Sequence, residues 1–103
     1  YKRKTEDEEQ IYSVIEKIIQ APGLYIGKKT VDEINTFLCG YCYAYIEFYS
    51  YQPHFDREFQ TFVEERIGSK GVMHWDSIIS HNKNDEDAFA CFVELFELFT
   101  RRL

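Results

Sequence analysis

Thr30-Val31-Asp32-Glu33-Ile34-Asn35-Thr36-Phe37-Leu38-Cys39-Gly40-Tyr41-Cys42-Tyr43-Ala44-Tyr45-Ile46-Glu47-Phe48-Tyr49 is the stretch that decides the fold. Thr30 with Glu33 three residues on makes a capping box, the sign of a helix start. Val31, Ile34, Phe37, Leu38, Tyr41, Tyr45 and Phe48 then fall on one side at about 100° per residue, a helical period and not the alternation of a strand. The helix is predicted to reach Tyr49 or Tyr51 and to stop before Pro53, which disfavours helical geometry in the residue ahead of it. Its length makes it the central element. Gly40 inside it costs up to about 1 kcal/mol relative to Ala, so it is expected to admit a closely packed neighbouring helix.

Helical periodicity continues on both sides. Upstream, Thr5 and Glu8 form a second capping box, and Ile11, Val14, Ile15, Ile18 and Ile19 make one apolar stripe that Ala21-Pro22-Gly23 ends. Downstream, Phe55, Phe59, Phe62, Val63 and Ile67 face inward on a helix closed by Gly68, a natural left-handed cap. Ser69-Lys70-Gly71 leads through Val72-Met73, which has room for two or three extended residues, to a short helix at Trp75–Ile79. There Trp75 is expected to anchor the core and Asp76 to cap the turn. A last helix starts at Asn84 or Asp85 and runs to about Arg101. Its apolar set, Phe89, Phe92, Val93, Phe96, Leu98 and Phe99, is wide enough to pack between other helices. The expected fold class is all-α: a small bundle of four main helices plus one short helix.

Composition agrees. In 103 residues, 45% apolar and 17% aromatic side chains supply one core and exclude wholesale disorder. The chain therefore reads as one domain over residues 1–103, with Tyr1–Lys4 as a flexible basic end. It opens on Tyr1 without Met, as a chain whose first residues were cut away or left out would. No apolar run approaches the roughly 18 residues of a membrane span, and no signal-peptide pattern is present.

The net charge of −6 understates the acidity of the body. Lys2, Arg3, Lys4, Arg101 and Arg102 sit at the ends, leaving seven basic against eighteen acidic residues between Thr5 and Thr100, a charge of −11. Such a body repels nucleic acid and anionic membranes and attracts basic partners. Solubility alone also accounts for an acidic surface. Three cysteines, Cys39, Cys42 and Cys91, form no disulfide framework and point to a reducing compartment, most simply the cytoplasm.

Candidate chemistry is sparse. Cys39-Gly40-Tyr41-Cys42 is formally C-x-x-C, but it sits in mid-helix, beyond the N-terminal dipole that activates such thiols. As a zinc site it lacks two ligands, so the cysteines read as small buried side chains and no metal or other cofactor is expected. His74, Asp76 and Ser77 or Ser80 could be drawn as a hydrolytic trio, yet proximity in sequence is not triad geometry. The acid pairs at helix starts are explained by capping and dipole effects, so the chain is not read as an enzyme.

Pro22-Gly23-Leu24-Tyr25-Ile26-Gly27 is the most distinctive turn. Pro22 fixes φ, Gly23 and Gly27 can take positive φ, and Leu24 with Ile26 can tuck under the helices. The stretch looks like a segment of the DNA gyrase B family, but the helix that follows lacks that family's Asn and Asp pattern and no Gly-rich phosphate loop follows. With Phe37-Leu38-Cys39-Gly40-Tyr41, Trp75-Asp76 and the Phe-rich helix Asp85–Phe99, it resembles instead small helical bacterial proteins with a Pro-Gly-Met/Leu-Tyr-Ile/Leu-Gly turn. Some of these look like immunity proteins of toxin systems. Ala21 stands where their common pattern has Arg. The resemblance implies a helical fold and a non-catalytic protein that neutralises a cognate toxin.

Eight tyrosines are many for a helical domain, and five crowd between Tyr41 and Tyr51. Tyr43 and Glu47 project opposite the apolar stripe, alongside Thr36 and Gly40, as a solvent-facing aromatic and acid patch. Packing of the tyrosines under the third or the fifth helix is the equal alternative. The expected partner-binding residues are Tyr43 and Glu47, with Asp56, Glu64 and Glu65 as a second patch, and the expected partner is a basic toxin domain such as a nuclease. A regulatory or assembly module, homo-oligomeric through the tyrosine face, is the other reading, and a small enzyme or ligand-binding domain using His74, Asp76 and the Pro22–Gly27 loop a third.

Overall fold

A computed structural model describes residues 6–68 and 73–101. It consists of α1 (Glu6–Gln20), a single 3-10 turn (Pro22–Leu24), α2 (Val31–Tyr49), α3 (Phe55–Ile67), α4 (Trp75–Ser80) and α5 (Asp85–Arg101), with no strand among the described residues. The fold is the all-α bundle of four main helices and one short one. Thr5, the Tyr1–Lys4 end, the Ser69-Lys70-Gly71 loop and Val72 lie outside the described residues. Among the described residues no helix is long and apolar enough to cross a membrane.

Two helix starts, those of α2 and α5, follow the caps. Thr30 Oγ1 accepts a hydrogen bond from Glu33 N–H at 3.1 Å, and Asn84 Oδ1 accepts from Asp87 N–H at 2.8 Å. The capping box of α2 is only half formed, because the Thr30 amide donates to the Lys28 carbonyl. Glu33 Oε1 accepts instead from Gly27 N–H at 3.2 Å, which ties the preceding turn to the helix. Two left-handed residues stop the central helices: Ser50 at φ 54° after α2 and Gly68 at φ 94° after α3. Each donates its N–H to the carbonyl four residues back, Ser50 to Ile46 and Gly68 to Glu64.

The Pro22 turn is built differently from expectation. Its carbonyl accepts from both Tyr25 and Ile26, and neither Gly23 nor Gly27 takes a positive φ. Ile26 is buried, whereas Leu24 points into solvent. Tyr25 meets the Phe37 ring edge-on at 6.2 Å, anchoring the turn on α2.

Aromatic rings dominate the core. Trp75 is fully buried, with the Phe59 ring at 5.1 Å and the Phe92 ring at 5.6 Å. Phe55 and Phe96 are also fully buried, and Ile11, Ile15 and Ile18 bring the α1 stripe onto them. Tyr12, outside the predicted stripe, is buried edge-on against Phe55, Phe96 and Phe99. Glu8 is buried too. Its Oε2 accepts from the Tyr51 hydroxyl at 2.6 Å and from His54 N–H at 2.9 Å, fastening α1 to the α2–α3 connection.

Four expectations fail, each for a packing reason. Phe48 continues the α2 stripe but is 82% exposed, within a last turn, residues 46–50, that is exposed throughout. Ile67 is exposed in the same way at the end of α3. Phe37 and Tyr41 are half-buried rather than core. Gly40 admits no neighbouring helix: it is exposed, and a Cβ there would meet nothing within 4 Å.

Candidate functional site

Helix geometry sorts the tyrosines by angle. Tyr45, on the α2 stripe, is buried, and its hydroxyl donates to Asp7 Oδ1 at 2.7 Å. Tyr41 is half-buried, and with Tyr45, Tyr49, Glu6, Asp7 and Gln10 it lines a shallow cleft against the first turn of α1. Tyr43 is 68% exposed on the outer face, with exposed Ile46 one turn along, whereas Phe48 and Tyr49, also exposed, project from other sides of the last turn of α2. Glu47 stands among these residues, exposed one turn from Tyr43. Tyr43 thus faces solvent as expected, while Tyr45 is buried with its hydroxyl on Asp7 of α1 and not on the third or fifth helix.

Beneath Tyr43 the surface dips into a cavity of about 300 Å³ between α2, the start of α3 and the residue ahead of α4. Leu38, Cys42, Ile46 and Phe55 make its apolar wall, and Asp56, His74 and Asn35 its polar end. Asp56 therefore shares a site with Tyr43, which Glu47, one turn along α2 from Tyr43, does not line. Glu64 and Glu65 do not belong to this patch. They lie eight and nine residues along α3 from Asp56, at least about 12 Å by helical rise, and Glu64 accepts from Gln60 Nε2 at 2.8 Å.

The polar end is a clasp. His74 Nδ1 bonds Asp76 Oδ1 at 2.7 Å, and Nε2 bonds Asp56 Oδ1 at 2.9 Å. Trp75 Nε1–H also donates to Asp56 Oδ1 at 2.9 Å, and Asn35 Nδ2–H to Asp76 Oδ2 at 3.3 Å. Ionised carboxylates only accept, so this arrangement favours a ring with both nitrogens protonated, an imidazolium. Asp76 is therefore not the cap of α4. It is the second residue of that helix, its side chain 12% exposed, and it joins α4 to His74 and α2. Both His74 nitrogens are taken by carboxylates and not by the hydroxyl of Ser77 or Ser80.

Burial of His74 opposes its charge, but the hydrogen bonds to Asp76 and Asp56 and the field of both carboxylates outweigh it, raising the pKa above the ordinary 6.5. A raised folded-state pKa means stability that is fully present below about pH 6.5 and lost as pH rises through the folded value. The urea midpoint of the wild-type protein should therefore fall relative to that of His74→Gln as pH rises above about 6.5. A difference between the two proteins that stays constant, or widens with pH, would show a neutral ring.

The cysteines correct one expectation. Cys39 is exposed, its thiol directed to Asn35 Oδ1 at 3.8 Å, while Cys42 and Cys91 are half-buried. Burial first, and the nearby Asp56 charge second, push the Cys42 thiol up to about 11, which disfavours the reactive thiolate. Among the described residues no three His, Cys, Asp or Glu side chains converge as a metal-ligand set.

The clasp went unread in the sequence because its members are 18 and 41 residues apart. The available signal was the Asp56 and His74-Trp75-Asp76 set flanking two predicted helix starts. Neither a protein-family model, nor a curated protein, nor a solved structure matches this chain.

Proposed function

We propose that this chain is a non-catalytic immunity protein, which binds and neutralises a basic toxin domain through the outer face of α2. The observation that carries this reading is exposed Tyr43, with Ile46 and Glu47 one turn along α2, above a cavity that Asp56 also lines. Aromatic anchors at the centre of an interface supply the affinity, and charges around them supply steering and orientation. A nuclease toxin must be basic where it holds phosphates, so an acidic body suits its inhibition. The resemblance around Pro22–Gly27 and Phe37–Tyr41 supports the same class. Such an inhibitor works in the cytoplasm that makes the toxin, where three unpaired thiols stay reduced. Self-association through the same face would bring two like-charged bodies together, which the net charge of −6 opposes.

The test is the rate of association with the product of the neighbouring toxin gene. The Debye length shrinks from about 30 Å at 0.01 M salt to about 10 Å at 0.1 M, so the on-rate should fall roughly tenfold or more over that range. A neighbouring gene product that is not toxic, or an on-rate indifferent to salt, would overturn the reading.

A further inference from the structure

We propose that the cavity beneath Tyr43 receives one arginine side chain of the basic partner, an inference that rests on the functional reading above and names the contact at its centre. At about 300 Å³ the cavity lies at the small end of the range for binding sites, about 300–1,000 Å³, and holds one side chain rather than a cofactor. Its two ends make different demands. Leu38, Cys42, Ile46 and Phe55 accept an aliphatic stem. Most donors at the polar end are committed inward: both His74 nitrogens and Trp75 Nε1–H are on carboxylates, and one of the two Asn35 Nδ2 hydrogens is on Asp76.

An arriving group therefore meets acceptors. Asp56, with its side chain 61% exposed, still has Oδ2 to offer, because the clasp uses Oδ1. Two carboxylates around one imidazolium leave a net charge of −1 at the rim. An anionic group finds repulsion there, and a purely apolar one leaves the acceptors without water or partner. A cation on an aliphatic stem satisfies both ends. Guanidinium fits better than ammonium, because it is planar, weakly hydrated, able to give a carboxylate two N–H groups and able to lie on the exposed Tyr43 ring.

The test uses n-butylguanidinium as the arginine probe and n-butylurea as its neutral counterpart, followed by amide shifts in a 15N–1H NMR titration. Butylguanidinium should shift the Leu38, Cys42, Ile46 and Asp56 amides and saturate at a concentration at least tenfold below butylurea. Asp56→Asn should abolish that preference while leaving weak binding of both probes. Equal binding of the two probes, no saturable shift with butylguanidinium, or an unchanged preference in Asp56→Asn would overturn the inference. Should Asp56→Asn fail to fold, the two probes on the wild-type protein decide alone. The toxin measurement separates the two levels. Protection without a guanidinium preference removes only the arginine, and a guanidinium preference without protection removes only the immunity reading.

Discussion

Phe92→Ala should lower the free energy of unfolding by about 3–5 kcal/mol, the usual loss when a fully buried aromatic ring is truncated to a methyl. Phe92 has no exposed surface, and its ring stacks on Trp75 at 5.6 Å and 26°, meets Phe59 at 5.7 Å and 75°, and lies 6.2 Å from Phe96. These partners come from α3, α4 and α5, so the hole cannot close without moving whole helices. The short helix feels the loss most. Six residues are too few to hold helical form alone, and α4 depends on the seat of Trp75 among these rings. Urea unfolding at constant slope measures the change, and a loss below about 1 kcal/mol would place Phe92 outside the core.

Local chemistry explains which parts of this fold were legible. Thr30, Gly68 and Asn84 act on backbone groups within four residues, so the bounds of α2, α3 and α5 can be read from them directly. Periodicity identifies a face but not what covers it. Phe48 keeps perfect register with Tyr45 and still ends in solvent, because nothing in the pattern says where the neighbouring helices stop. Buried polar groups were the least legible. Glu8 reads as a capping acid and Asp76 as a cap, yet each carboxylate is fixed by donors about forty residues away, Tyr51 and His54 for one and Asn35 for the other. The site divides along the same line. Tyr43 and Glu47 on one helix face follow from the sequence, whereas the placing of Asp56 and His74 beside them depends on how α3 and α4 pack.

Tyr43→Ala combined with Glu47→Lys should nearly abolish toxin binding while leaving the domain folded. Both side chains are exposed, and surface substitutions usually change stability by no more than about 0.5 kcal/mol. At an interface the cost is larger. An aromatic anchor truncated at the centre costs about 2 kcal/mol or more, roughly thirtyfold in Kd, and acts mainly on the off-rate. Reversing Glu47 removes two units of attraction toward a basic partner and acts mainly on the on-rate. Together the two changes should remove protection of a toxin-expressing cell.

The kinetics of this double variant with the toxin, measured at low and at physiological salt beside its urea midpoint, test the outer face of α2 most directly. The account predicts an unchanged midpoint, a faster off-rate, and an on-rate reduced most at low salt, so that Kd rises about a hundredfold or more. A folded double variant that binds at the wild-type rates and still protects the cell fully would contradict it.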